Sequence, residues 1–411
     1  MKNSKIYVAL LLLVSTLSFS QSVSTSPYSI YGIGNLYQSD FGPIPSLGSS
    51  GLALPSSKFI NNLNPASFGF LTANHFLFDV GGKVIQTEYK NNETSESRNN
   101  VQFSHIGIAF PVTSKSGLNI VLKPYTSSCY KITGLKLPIE NSIESYYLSV
   151  LGSGGLNNFD VSYGYQLSKK WALGLTTSFL FGNTNDTRNY YVGTTITTID
   201  KDIHYNGIRP VLGLQYQSEA LLSFGGVVKF PAQVNVSKVQ TVSTVDNEVT
   251  TPLQTDVASN QDDFYLPLEL GVGMSAKFKN NLQLTLDYER SFWSSTNQSD
   301  LYGNFVDSNR FAMGFLYKKP KERLSYFDRV QYSGGFNFDT GSLEVNNKKI
   351  EDKSISIGLS LPIDYTSSAL NISYSYGQRA KISGGLIKEN YHKLSLNLSL
   401  DGIWFVKRKI N

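Results

Sequence analysis

Four histidines, one cysteine and a scatter of carboxylates are all that the 411 residues offer for acid–base, nucleophilic or metal chemistry. Their spacing works against each. His75, His105, His204 and His392 stand far apart, near the ends of predicted strands. Ser104 and His105 are neighbours, and neighbours on a strand point to opposite faces, so they are not expected to form a nucleophile–base pair. No ligand spacing of a metal site occurs. Asp262-Asp263 reads as a solvated acidic pair in an outer loop rather than a divalent-ion site. Residues 152–155 are glycine-rich but lack the strand-to-helix setting of a phosphate loop. Cys129 is the sole cysteine, so no intrachain disulfide can form, and it reads as an inert strand residue. Neither an enzyme nor a cofactor is expected. No basic stripe with interleaved aromatics is present, so nucleic acid has no support as a partner.

The charges with more to say lie inside apolar–polar alternation. Asp79, Lys83, Lys123, Asp160, Glu269, Asp287 and Glu289 fall on the polar side of it, and structural pairing is expected because isolated charges facing a tight interior are costly. Pro124 is the other informative residue. It interrupts an otherwise strand-like run over residues 118–125, and proline removes a ladder N–H, which confines it to edges or bulges. In a closed sheet there is no edge, so a local break is expected there, with a simple bulge near the rim as the plainer alternative.

The elements that must position these residues are strands. Phe159, Val161, Tyr163, Tyr165 and Leu167 alternate with polar or small residues, as do Leu282 to Glu289, Ile355 to Leu361, Leu370 to Gly377 and Leu394 to Asp401. Period two means one apolar and one polar face. Predicted strands cover 75–89, 101–112, 117–131, 156–167, 171–182, 203–217, 221–230, 264–278, 282–293, 308–317, 327–339, 353–363, 369–381 and 391–405. They exceed the ~5–6 residues usual in globular proteins and suit the ~9–11 that cross a bilayer. Residues 143–151 look extended too, and fit an outer loop or an extension of the next strand. Short connections alternate with long ones, which puts the short turns on the periplasmic side and the long loops outside. Only 16% of residues are charged and 13% are aromatic, as a lipid-facing surface around a polar interior requires. The fold class is therefore all-β, a transmembrane antiparallel β-barrel of about fourteen strands over 75–411.

Two segments precede it. Residues 1–20 read as a secretory signal peptide, with Lys2 and Lys5 ahead of a short apolar core and small residues before Gln21. Residues 21–74 carry Asp40 and Lys58 as their only charges, too apolar for a disordered tail, and are expected to fold inside the barrel as a plug.

This N-terminal segment resembles the hatch of the FadL family. Residues 46–54 form a glycine-containing patch, and Asn64, Pro65 and Ala66 match the family's Asn-Pro-Ala element ahead of the first strand. Trp404 and Phe405 add an aromatic last strand of the general outer-membrane kind. The resemblance implies a bacterial outer-membrane channel for passive uptake of hydrophobic small molecules or lipids such as long-chain fatty acids. It implies a plug-gated lumen and a lateral exit where the third strand kinks inward, which would place that opening at Pro124. It also leaves open a second role found in the wider family, a barrel partner in type nine-like protein secretion or assembly that binds a protein instead.

Overall fold

The computed structural model describes residues 26–403 apart from 39–40, 219–220, 247–248, 261, 280, 301–302, 320–324 and 364–366. The expected signal peptide and the pair Trp404-Phe405 lie outside the described residues. Among those described, no helix is long and apolar enough to cross a membrane.

The chain forms a closed antiparallel barrel of fourteen strands. The wall opens with β1 (His75–Lys90) and β2 (Ser95–Thr113), and its third strand comes in two pieces, β3 (Ser116–Pro124) and β4 (Tyr130–Pro138). Then follow β5 (Ser145–Gln166), β6 (Trp171–Val192) and β7 (Thr195–Tyr216). Prolines break the next two wall strands, giving β8 (Leu222–Lys229) with β9 (Ala232–Asp246), and β10 (Val249–Asn260) with β11 (Phe264–Leu266) and β12 (Glu269–Lys277). The circuit ends with β13 (Leu282–Ser291), β14 (Ser308–Lys318), β15 (Gln331–Asp339), β16 (Asp352–Pro362), β17 (Ala369–Arg379) and β18 (Lys388–Ile403). Sixteen consecutive register pairs, from His75↔Ile403 to Lys90↔Lys388, close it.

Alternation sorts the side chains. Leu173, Leu175, Phe179, Leu212, Leu214, Leu284 and Leu286 face out, while Ser162, Thr176, Ser178, Thr285 and Ser395 are buried inside. Trp171 and Tyr216 meet at 4.9 Å between ring centroids beside the short turn after β5, and Tyr165, Tyr317 and Tyr332 also stand at turn-proximal strand ends. Such a girdle marks a membrane interface.

Strand length is where the sequence misleads. Segments expected to be outer loops, 132–155, 183–202 and 231–263, are largely strand, with turns at 139–144 and 193–194. β5, β6 and β7 each run 22 residues. That is roughly 70 Å of strand at ~3.3 Å per residue, against a lipid-facing band ~25 Å tall. The outer halves bury polar as well as apolar side chains, Thr184 and Asp186 beside Tyr205 and Val236, so they lack a consistent apolar–polar contrast and alternation cannot betray them. Residues 143–151 belong largely to β5, the extension alternative. The expected strand 117–131 is corrected to two pieces separated by residues 125–129.

Candidate functional site: the filled lumen and the broken third strand

Residues 41–71 contact the inner face of the barrel around much of its circumference. Three short 3-10 turns, Pro27–Ile30, Ile44–Leu47 and Pro65–Phe70, give the N-terminal segment its only helical structure among the described residues. Ser46 Oγ lies 2.6 Å from Ser333 Oγ, and Ser50 Oγ lies 2.6 Å from Thr285 Oγ1. The Asp287 carboxylate accepts the Gly51 and Leu52 amides at 2.6 and 2.9 Å. Asn337 and Asn397 donate to the Gly48 and Gly42 carbonyls. Phe41, Ile60 and Phe68 pack with Leu77, Ala109 and Val121 of the wall.

Asn64, Pro65 and Ala66 sit at the hub of this packing. Asn64 caps the turn Pro65–Phe70 by accepting the Ala66 amide, and Pro65 supplies the first-turn residue that needs no donor. Its Nδ2 lies within 3.2 Å of three carbonyls, on Leu52, Leu214 and Gly226, joining the segment to β7 and β8. The wall is shaped to receive it: a Cβ on Gly213 would come within 2.1 Å of Asn64, and one on Gly225 within 2.1 Å of the Leu52 carbonyl.

Above this floor lies a cavity of about 340 Å³, roofed by aromatic residues, Phe264 of β11 with Trp293 and Phe305. Its lower walls are ionic. Arg209 and Lys229 hold Glu269 at 2.9 and 2.8 Å, Arg310 pairs with Glu289, and Lys123 holds Asp160 at 3.0 Å. Lys83 lies 4.4 Å from the Tyr37 ring centre. The seven charges singled out from the sequence all face inward or reach the ion network. Their partners Arg209, Arg310 and Lys229 carry no signal in the sequence, because the pairs are 21 to 60 positions apart. Arg209 has a further task. Its guanidinium donates to the Phe230 and Pro267 carbonyls at 2.9 and 2.6 Å, the places where prolines interrupt the wall ladder.

Pro124 ends β3. The ladder with β2 stops at Ile106↔Leu122, that with β5 at Pro124↔Asn157, and the chain then folds inward. Thr126 and Ser127 bow inward and pair with Leu36 and Asn35 of the N-terminal segment, while Tyr125 and Ser128 beside them still donate to the Leu156 and Gly154 carbonyls of β5. Gly155, at φ +154°, allows this, because a side chain there would meet the Thr126 carbonyl at 2.3 Å. The glycine run 152–155 thus packs against the inward segment. The wall resumes at Tyr130, where β4 pairs with β5. The cavity reaches Lys123, Pro124 and Tyr125.

One expectation fails outright. Ser104 and His105 do not point to opposite faces, because the β1–β2 register slips between Gly81↔His105 and Gly82↔Phe103. The resulting bulge turns both side chains inward. Ser104 Oγ lies 2.9 Å from His105 Nδ1, and His105 Nε2 lies 2.6 Å from Asp79 Oδ1. Ser399 donates to the other Asp79 oxygen, and Phe41 stacks on the imidazole at 3.7 Å. All three members of the chain are buried, and the stack ties the wall to the N-terminal segment. His75 pairs with Asp401 at 2.6 Å, while Asp263 accepts from Gln233 and the Val236 amide of β9. Among the described residues no cluster of three or more His, Cys, Asp or Glu gathers for a metal.

Solved structures of similar fold are described as hydrocarbon channels, toluene transporters and a FadL homologue. The toluene transporter TodX of P. putida superposes with a TM-score of 0.63 at 14% identity over 90% of this chain and 99% of that one. The CymD monoaromatic hydrocarbon channel gives 0.61 at 16% identity, covering 89% and 98%, and a Pseudomonas aeruginosa FadL homologue gives 0.60 at 9%, covering 90% and 100%. At such identities the likeness establishes the fold alone. It suggests a bacterial outer-membrane location. No curated protein sequence matches. The family model that does match is not described as FadL, the resemblance drawn from the hatch motif, but as BamG, and it spans residues 2–411. This chain belongs to the BamG family.

Proposed function

We propose that the protein is a plugged outer-membrane barrel that serves as a binding partner for other proteins during their secretion or assembly. The observation that carries this reading is the outward sheet. β5, β6 and β7, at 22 residues each, and β9, at 15, continue well past the ~9–11 residues a bilayer needs, and the sheet ends in the exposed hairpin β9–β10. The lumen beneath is filled by residues 41–71 and its remaining cavity is lined by ion pairs, which favours a docking platform over a continuous apolar conduit. The test is to trim the hairpin in register. Gln240 and Val257 face each other, so joining them through a two-residue turn removes the tip without disturbing the wall. The barrel is expected to insert normally while chemically crosslinked outer-membrane partners fall by roughly tenfold, the loss of ~1.4 kcal/mol or more of binding. An unchanged set of partners sinks the reading.

A second reading has its own observation. The cavity reaches the wall break at Pro124, so a hydrophobic compound held under the aromatic roof has a path toward the bilayer. The plug would then gate entry. Pro124→Val, which restores a ladder donor, is expected to cut uptake of a labelled long-chain fatty acid or of toluene to the level of vesicles without the barrel. Uptake equal to the unsubstituted protein removes this reading.

A further inference from the structure

We infer that the upper half of β2 is a docking edge for one extended polypeptide strand, supplied by a protein partner and added to the barrel wall. The inference rests on the protein-binding reading above and names the mode of that binding.

Above Ile106 the wall loses its ladder on one side. Residues 100–105 pair with β1, and on their other edge no strand follows among the described residues. β4, which continues the third wall strand, pairs with β5 alone. Part of this bare edge faces lipid. Phe103 is 48% exposed and continues the outward apolar row of Ile106 and Val112 on the same strand. A backbone group without a partner is costly in hydrocarbon, which is why membrane walls close. An apolar small molecule cannot satisfy an amide or a carbonyl; a strand can. Gln102 adds a second signal at the same height: its Oε1 is buried and has no hydrogen-bond partner.

The chain treats its other free edges differently. β10 at the rim of the outward sheet carries Pro252, two register irregularities against β9, and Asp256 at φ +50°. β4 carries Lys131, Lys136 and an irregularity around Gly134. Proline, lysine and bulges are the devices that keep an edge from pairing. Residues 100–105 of β2 have none of them on that edge. The bulge at Ser104 is turned toward β1 and the lumen. The occupant that fits is a strand with apolar residues facing out beside Val101 and Phe103, and polar residues facing in beside Gln102.

The test uses the full-length chain with Cys129→Ser in lipid nanodiscs. The probe is a ten-residue synthetic peptide alternating Leu or Val with Ser or Thr and carrying one cysteine; a scrambled peptide of equal composition is the control. Val101→Cys and Phe103→Cys are expected to form disulfides with the alternating peptide in one register. Yields should be about tenfold above Gln102→Cys and above the scrambled peptide, since a one-residue slip turns every side chain to the other face. In the chain with native β2, the alternating peptide should slow amide exchange over 100–105. Equal yields from both peptides, or equal protection by oleate alone, overturn the inference. Running the same assay on the trimmed-hairpin protein separates the two claims. Peptide failure with partner capture intact removes the edge and leaves the partner role. Peptide binding in a protein that captures no partner leaves the edge and removes the role.

Discussion

Deleting residues 41–71 is expected to convert a silent barrel into one that conducts ions in planar bilayers. On the plugged-barrel reading the intact protein should show no resolved openings, because residues 41–71 touch the inner wall directly rather than hanging across it. The wall glycines make the point. Cβ atoms on Gly164, Gly174, Gly314 and Gly335 would each fall within 2.8 Å of this segment, so the wall has given up side chains where it lies. Removing the segment leaves a ring of small and polar residues, Ser162, Thr176, Ser275, Thr285 and Ser395, which water fills readily. A truncated barrel that failed to insert would leave conductance unread, so a full-length variant is needed as well. Asp287→Ala removes the acceptor for the Gly51 and Leu52 amides, and Asn64→Ala removes the donor to three carbonyls. Each change strands buried backbone groups at about 1–3 kcal/mol. The double variant should therefore show brief, repeated openings in a barrel that still migrates as folded on unheated gels. Silence from both variants means the lumen is closed by something other than residues 41–71.

The wall was legible in the sequence wherever lipid touches one side of it. Leu282 to Glu289 and Leu394 to Asp401 alternate because one face meets hydrocarbon and the other the lumen, and the short turns between strands supply the count of fourteen. Legibility fails above the bilayer, where β6 reads Thr-Asn-Asp-Thr-Arg-Asn with no apolar face, and the strand is held by its ladders to β5 and β7 and by polar contacts such as Tyr130 to Asp186. Pro124 announces the break in β3, since proline supplies no ladder N–H there. The Asn-Pro-Ala element is likewise local. Arg209 could not be read in this way. It joins Glu269 and the carbonyls of two interrupted strands, and only the closed barrel brings those groups within 3 Å. Ser104 and His105 were misplaced because the rule of opposite faces assumes an unbroken register. Gly81-Gly82 across from them is the single hint of the slip, as paired glycines inside a strand often mark a bulge.

That slip leads to the second large effect, in the stability of the whole protein. His105→Ala is expected to lower the unfolding free energy in lipid vesicles by about 3–5 kcal/mol, the usual result of breaking a buried pair by removing one partner. Asp79 is fully buried, and without the imidazole its carboxyl keeps only the Ser399 hydroxyl. Phe41 loses the ring it stacks on at 3.7 Å, so the N-terminal segment loosens together with the wall. Asp79→Ala should cost a similar amount. The double substitution should cost clearly less than the sum of the two, because residues in one network couple by ~0.5–3 kcal/mol. Urea titration followed by tryptophan fluorescence measures all three. A structural tie predicts this coupling and, on the plugged-barrel reading, increased openings of the lumen, since Phe41 packs the N-terminal segment against the wall. Additive losses with a silent lumen would show instead that Asp79, His105 and Phe41 are separate packing residues, and the bulge that gathers them would need another explanation.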